Sequence, residues 1–362
     1  MLPPRLLLTG VLVLLASCAV PERAPEPTPD PIAAIVREEL ARQKIPGASV
    51  AIVEHGKLVH AEGYGFANVE HQVPATKETI YQSGSTGKQF TAALVLLLAN
   101  DGRFQLDDPI AKHLPGTPPS WASITIRQLL QHVSGLADPY EKLDFARDYT
   151  EAELLAIDGQ ISLRSEPGTK FSYSNMGYHV LGFLCSHVGG VFYGEQLAQR
   201  IFAPAGMKTT RIISDRALVP HRAAGYELEN GELKNQSWVS PSLNTTGDGS
   251  LYLSVLDFAA WDIALTRGTP IPEEIQAVMR TPARLANGKP SLYGCGWSVH
   301  PIEGREAISH GGAWQGFTTF YLRLPKEELS VIVMTNLAGA DPGKFVQRIL
   351  AERLPARAEG GR

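Results

Sequence analysis

The sequence predicts an α/β (α+β) protein. A mostly antiparallel sheet flanked by helices is formed by both chain ends, an all-helical lobe is inserted between them, and the active site lies between the lobes. Strand-like segments gather near the two ends of the 362-residue chain, whereas residues 85–285 read mostly as helices and loops. With 44% hydrophobic residues the chain can bury a core of that size. The division is a sandwich lobe from 32–84 and 286–356 and a helical lobe from 85–285.

The first elements precede the domain. Arg5 gives a thin positive region, Leu6 to Leu15 is apolar but too short for a comfortable membrane span, and Leu15-Ala16-Ser17-Cys18 follows. Residues 1–18 resemble a bacterial lipoprotein signal, which implies lipidation of Cys18 and a place in the cell envelope, facing the periplasm. Ala19 after the cysteine, rather than Asp, resembles an outer-membrane sorting signal. Residues 19–31 form a linker in which five prolines between 21 and 31 hold the chain extended. In that form it reaches about 35–40 Å. No later apolar run is long enough for a span, so the membrane is expected as a partner through the lipid alone.

Asp30-Pro31 is a cap residue followed by proline at the first helical position, and Ile32, Ile35, Val36 and Leu40 repeat at helical spacing up to Gly47. Ala48 to Val53 and Lys57 to Glu62 read as strands turning at His55-Gly56. A buried helix over 85–101 carries Leu94 to Leu98 and ends at Asn100-Asp101-Gly102. Ile126 to Gln131, Met176 to Val188, Gly194 to Phe202 and Val255 to Leu265 read as helices, the last with Ser254 and Asp257 as a capping box. Strands return at Gly296 to Pro301, Gly316 to Leu324 and Leu329 to Asn336, and a helix from about Pro342 to Arg353 closes the chain.

A net charge of −4 without a basic cluster argues against a nucleic-acid partner. The ten histidines show no His-Glu-x-x-His and no metal spacing with the cysteines, so neither metal nor cofactor is expected. Cys185 lies in an apolar run and Cys295 in a strand-like stretch; both read as buried free thiols, although an oxidising compartment permits a bridge.

Three short patterns carry chemistry. Ser85-Thr86-Gly87-Lys88 opens the buried helix, and residues three apart share a helix face. A desolvated lysine can take the serine's proton, while the helix start offers N–H groups to an oxyanion. Tyr173-Ser174-Asn175 supplies a phenol for acid and base work and an amide to orient the lysine and donate to a substrate carbonyl. His310-Gly311-Gly312-Ala313 falls between predicted strands or at the start of one, where paired glycines admit a substrate backbone. Other readings fail on residues. A phosphate loop needs glycine at Gln82 and Ser/Thr at Gln89, the Gly-x-Ser-x-Gly elbow fails at Ser83, and Gly63-x-Gly65 has Asn68 where its third glycine belongs.

In this order, and with stretches such as ITIRQLLQHVSGL, GYHVLGFLCSHVGG, IFAPAGMKTT and GGAWQGFTTFYL, residues 32 to 337 resemble the class C serine β-lactamases, the DD-peptidases and their esterase and D-aminopeptidase relatives. The resemblance implies acylation of Ser85, proton transfer by Lys88 and Tyr173, positioning by Asn175, and an oxyanion hole from the N–H groups of Ser85 and Ala313. It implies hydrolysis of small amide or ester bonds in a small-molecule or peptide substrate; the alternative is a catalytically weak protein that binds cell-wall peptides or penicillin. β-Lactamases and DD-peptidases usually carry lysine where His310 stands, and the histidine resembles D-aminopeptidase-like members. A neutral imidazole there is expected to hydrogen-bond, not attract, a substrate carboxylate, and to give activity a limb near pH 6–7.

Overall fold

A computed structural model describes residues 30–354. Residues 1–29, with the expected leader, Cys18 and most of the linker, lie outside the described residues, as do 355–362. In chain order the strands are β1 (Gly47–Glu54), β2 (Lys57–Asn68), β3 (Val73–Pro74), β4 (Tyr81–Gln82), β5 (Arg211–Ile212), β6 (Tyr226–Glu229), β7 (Glu232–Asn235), β8 (Leu251–Leu253), β9 (Ser298–Val299), β10 (Ile308–Trp314), β11 (Phe317–Leu324) and β12 (Leu329–Thr335). The helices are α1 (Pro31–Gln43), α2 (Lys88–Asn100), α3 (Ile126–Leu130), α4 (Glu151–Asp158), α5 (Asn175–Gly189), α6 (Tyr193–Leu197), α7 (Ala203–Ala205), α8 (Val255–Thr266), α9 (Glu273–Arg280) and α10 (Pro342–Arg353). No described helix is long and apolar enough to cross a membrane.

The main sheet has the order β3-β2-β1-β12-β11-β10-β9 and is antiparallel throughout. Its centre joins the two chain ends: Ala48 lies opposite Thr335 and Glu54 opposite Leu329. β1 and β12 are buried almost from end to end and mostly apolar because helices cover both faces of the sheet. Val50, Ile52, Val331 and Val333 pack with Ile32 and Val36 of α1 and Phe345 and Ile349 of α10. Their neighbours Ala51, Val53, Ile332 and Met334 belong to the larger core with Phe90 of α2 and Phe258 and Trp261 of α8. A strand period of two thus divides β1 between two cores.

The middle of the chain is not all-helical. β4, β8 and β5 form a three-stranded sheet and β6 pairs with β7 in a hairpin. These strands have two to four residues, too few for an alternating pattern to register. Other elements shift as well. Residues 84–87 form a tight 3₁₀ turn ahead of α2, the segment Gly194 to Phe202 divides into α6 and a wider π-type turn at Ala198–Phe202, and the strand expected over 296–301 shrinks to Ser298–Val299. α1 ends at Lys44, in the left-handed region, before Gly47 is reached. Ser254 caps α8 by accepting from Asp257 N, but the Asp257 carboxylate turns to Thr209 and Thr210, so the reciprocal half of that box is missing. Complete capping boxes occur instead at Thr125 with Gln128 and Thr150 with Glu153. Cys185 and Cys295 are buried and free.

Candidate active site

Ser85 sits in the 3₁₀ turn that feeds α2, wedged against the edge of the main sheet. Gly84 has φ +50°, and a Cβ on it would lie 2.5 Å from Ala313 N; a Cβ on Gly312 would lie 2.2 Å from Ser83 O. Only glycines let the turn and β10 approach backbone to backbone. Thr86 Oγ1 and Thr319 Oγ1 both donate to Ser83 O, at 2.8 and 2.7 Å, and lock the turn to β11. From below, Trp261 Nε1 donates to Gln89 Oε1 (2.6 Å) and Gln89 Nε2 to Thr86 O (2.8 Å). Gln89, the residue that rules out a phosphate loop, therefore ties α2 to α8.

The Lys88 side chain is fully buried. Its Nζ is 3.0 Å from Ser85 Oγ, 2.6 Å from Asn175 Oδ1 and 2.7 Å from the main-chain oxygen of Asp248. The last two atoms can only accept. A neutral amine has two N–H groups and one lone pair. In the neutral form, with both N–H groups directed at obligate acceptors, the lone pair faces Ser85 Oγ, where it can receive the hydroxyl proton.

Asn175 is the first residue of α5, and its orientation is set by Asp138. That carboxylate accepts from Ser174 Oγ and Met176 N, both at 3.0 Å, and from Asn175 Nδ2 at 3.3 Å. An amide nitrogen held by a carboxylate forces Oδ1 toward Lys88. Asn175 Nδ2 also donates to the Tyr140 hydroxyl. Neither Asp138 nor Tyr140 was expected from the sequence: they sit in a loop some 35 residues before Asn175, and no short spacing links them.

Ala313 lies in β10 beyond the reach of β9, which pairs only with Ile308 and Ser309. β10 and β11 turn over two residues, from Trp314 to Phe317, and antiparallel pairs alternate between bonded and non-bonded. Counting back from the closing pair, Gly312 bonds to β11 and Ala313 does not. The Ala313 N–H therefore points off the sheet edge, on the side of Ser85. Both residues line the same cavity.

Tyr173 is placed differently from the expectation. Its ring lies 5.1 Å from Lys88 Nζ, but its buried hydroxyl takes no hydrogen bond from any described residue. The ring stacks on His132 with centroids 4.1 Å apart, in an aromatic cluster that includes Tyr178, Tyr293 and His310. Burial first, and the neighbouring Lys88 second, hold the His132 pKa well below its usual range.

His310 requires a correction. Its side chain is buried and does not line the cavity. Nδ1 donates to Gly311 O (2.6 Å), which fixes the tautomer, so Nε2 accepts from the Tyr293 hydroxyl (2.8 Å). Burial first, and the charge of Lys88 second, push its pKa down to about 4. An imidazole with both nitrogens engaged neither meets a substrate carboxylate nor titrates at pH 6–7.

The cavity is walled by Tyr140, Leu143, Phe145, Leu243 and Trp314, with His179 and Asp248 at its polar end. His179 Nε2 lies 3.2 Å from Asp248 Oδ1. Burial opposes both charges, but the pairing wins: the pKa of His179 is raised and that of Asp248 lowered. A histidine inside an apolar helix gave no sign of this in the sequence.

Residues 32–353 match the family model described as Beta-lactamase. The chain is 30% identical over 309 residues to a D-aminopeptidase of Gluconobacter oxydans (strain 621H), covering 82% of this chain but 57% of that protein. It thus spans less than two thirds of that relative's length. Among solved structures, an octameric penicillin-binding protein homologue from Pyrococcus abyssi superposes with a TM-score of 0.77 at 28% identity, covering 89% of this chain and 76% of that one. A D-amino acid amidase from Ochrobactrum anthropi SV3, complexed with D-phenylalanine, gives 0.77 at 26% identity, covering 88% and 97%. With nearly the whole described chain inside one family model, and a serine–lysine–asparagine cluster beside it, the chain belongs to the beta-lactamase family.

Proposed function

We propose that the protein is a class C-like serine hydrolase of small amides or esters. The observation that carries this is Lys88, whose Nζ lies 3.0 Å from Ser85 Oγ and is held there by two obligate acceptors. As Ser85 attacks the carbonyl carbon, its proton passes to Lys88 Nζ and the carbonyl electrons collect on an oxyanion met by the N–H groups of Ser85 and Ala313. Collapse expels the amine or alcohol, which takes the proton back from Lys88. Water then repeats the sequence on the acyl-enzyme, losing its proton to the same amine. Tyr173, whose ring centroid lies 5.1 Å from Lys88 Nζ, joins this proton traffic only after a movement of its side chain that brings the hydroxyl oxygen within hydrogen-bond reach of the amine. The D-aminopeptidase and D-amino acid amidase likenesses favour amide substrates of D-amino acids.

The test combines a serine-directed phosphonate with turnover assays on esters, D-amino-acid amides, D-Ala-D-Ala peptides and a chromogenic cephalosporin. Mass spectrometry should place the adduct on Ser85, and Ser85→Ala should lower turnover by at least about a thousandfold with the fold retained. Substantial turnover by Ser85→Ala would remove the assignment. Labelling without turnover of any substrate would leave a binding protein.

We also propose that Cys18 carries a lipid and holds the domain at a bacterial membrane facing the periplasm. Apolar residues 6–15 running directly into Leu-Ala-Ser-Cys support this. Cys18→Ser should release the protein to the soluble fraction or leave it unprocessed; unchanged membrane association would contradict the anchor.

A further inference from the structure

The face of the main sheet covered by α1 and α10, opposite to the one on which α2 and α8 pack, carries a second group of titratable side chains. His60, Glu62 and Tyr64 are alternate residues of β2, so the strand period sets them side by side, on the face where Val50 and Ile52 meet α1. Asp30, the N-cap of α1, joins them from the helix. One ligand atom from each of Asp30, His60 and Glu62 lies within 4.8 Å of the other two. Metal-ligand patterns of helices and cysteine pairs miss this group, because its period is that of a strand and its third member comes from a cap.

Each member keeps a donor atom to spare. Asp30 Oδ1 accepts from Ile32 N (3.0 Å) and caps α1, which leaves Oδ2 turned to His60, 3.8 Å from Nδ1. That distance is too long for a hydrogen bond. The His60 side chain is 9% exposed, and its Nε2 lies 3.1 Å from the Tyr64 hydroxyl. Tyr64 stays a phenol, kept protonated by burial first and by the Glu62 carboxylate beside it second. An ionised carboxylate accepts more strongly than an imidazole nitrogen, so the phenol proton turns to Glu62 and Nε2 donates its own. Burial outweighs the two acids and keeps the imidazole pKa below its ordinary value, so at neutral pH the ring is uncharged and Nδ1 is a bare lone pair. Among the described residues neither Asp30 nor Glu62 forms an ion pair with a lysine or arginine. Arg353, whose charge reaches His60, is 3.5 Å from Glu54, and Arg37 lies over the Tyr64 ring. Three acceptor atoms thus face one another, which is unfavourable until a cation sits between them.

We propose that Asp30 Oδ2, His60 Nδ1 and the Glu62 carboxylate form a site for a divalent transition-metal ion of the zinc type, with Tyr64 as the partner that orients the imidazole. Donors at zinc distances of about 2.0–2.2 Å stand about 3.3–3.6 Å apart in a tetrahedron. The 3.8 Å between Asp30 and His60 is close to that, and the exposed side chains of Asp30 and Glu62 close the remainder by rotation. The imidazole sets the class of metal, since magnesium and calcium take oxygen donors. Water fills the fourth position. The bound ion ties the point where the proline-rich segment meets α1 to β2, and its role is structural. The site stands apart from Ser85 and does not depend on the reaction proposed there.

Untagged full-length protein, stripped with a chelator and dialysed, is titrated with zinc chloride by calorimetry at neutral pH with magnesium in excess, and its melting temperature is followed with and without zinc. One zinc per chain should bind and raise the melting temperature, because the ion binds the folded state alone. Glu62→Gln, at an exposed position, and Asp30→Asn, which keeps a capping side chain, should each weaken binding at least about tenfold. Without zinc both should melt as the wild type does. His60→Gln should lose the ion altogether. A wild type that takes up no zinc at one per chain, or whose zinc affinity survives unchanged in Glu62→Gln or in Asp30→Asn, overturns the site. Displacement of zinc by magnesium overturns an imidazole-bound ion.

Discussion

A tetrahedral amine with two obligate acceptors around it has one direction left, and in this molecule that direction is the Ser85 hydroxyl. The residues that achieve this divide by distance along the chain. Ser85 and Lys88 were legible because a helical turn places them side by side, and Asn175 because it follows a tyrosine at a spacing with chemical meaning. Asp138, which orients Asn175, and Asp248, which supplies the third contact to Lys88, come from loops 37 residues before and 73 after Asn175, and tertiary folding alone brings them in. His310 was legible as a position but not as an environment, since its burial depends on Tyr293 and the strand pairing. That burial has a measurable effect. In the unfolded chain the imidazole takes a proton near 6.5, whereas in the folded one it does so only near 4. Between those values the unfolded state binds more protons, so stability is level above pH 6.5 and declines as pH falls toward 4. At pH 5 the loss from this group is about 2 kcal/mol. Chemical denaturation of wild type and His310→Asn at pH 7 and pH 5 should show wild type losing ground to the variant by about that amount. A constant difference between the two would place the imidazole in contact with water.

Among the elements, the contact between the 3₁₀ turn at 84–87 and β10 matters most. It brings the Ser85 and Ala313 N–H groups into one cavity, and glycines make it possible from both sides. Gly312→Ala puts a methyl 2.2 Å from Ser83 O and 2.4 Å from Thr319 Oγ1; the threonine side chain can turn aside but the Ser83 backbone cannot. The turn must lift off the strand. The expected result is a loss of roughly 1–3 kcal/mol in stability, as in other overpacked sites. Turnover should fall by more than about a hundredfold, as removing one oxyanion donor does elsewhere. Urea melts and kcat/KM together test this; an active, fully stable Gly312→Ala would mean that the two elements slide without effect. The sequence showed the glycines and left them between predicted strands or at the start of one. A strand of seven residues with two glycines at its centre lacks the alternation by which strands are recognised. The long helices α2, α5 and α8 were readable throughout because their apolar residues repeat over three or more turns. The short strands β4 to β8, which make the middle lobe mixed, had no such length.

At the scale of the whole molecule, two cores lie on either side of one sheet, and Cys185 and Cys295 are interior to the larger of them. Burial pushes the thiol of Cys295 up to about 12 and that of Cys185 higher still. In a Cys18→Ser variant, a disulfide-exchange reagent at pH 8 should find no reactive thiol in the native protein and two after denaturation. A thiol that reacts in the native state at the rate of a free peptide cysteine would contradict the packing. The pairing of β1 with β12 has a consequence for synthesis. Glu54 and Leu329, which face each other in the sheet, are 275 positions apart (329 − 54). Closing a loop of that length costs little at equilibrium, because the penalty grows only with the logarithm of length. Time is another matter. At a translation rate of about 5–20 residues per second, β1 waits roughly 15–55 s for its partner. Through that interval the strand GASVAIVE, apolar on both faces, is an open edge that any neighbouring nascent chain can pair with. A ribosome stalled before residue 329 therefore holds a chain whose sheet lacks its centre, and such fragments are expected in chaperone complexes or in the pellet, never as a soluble half-protein.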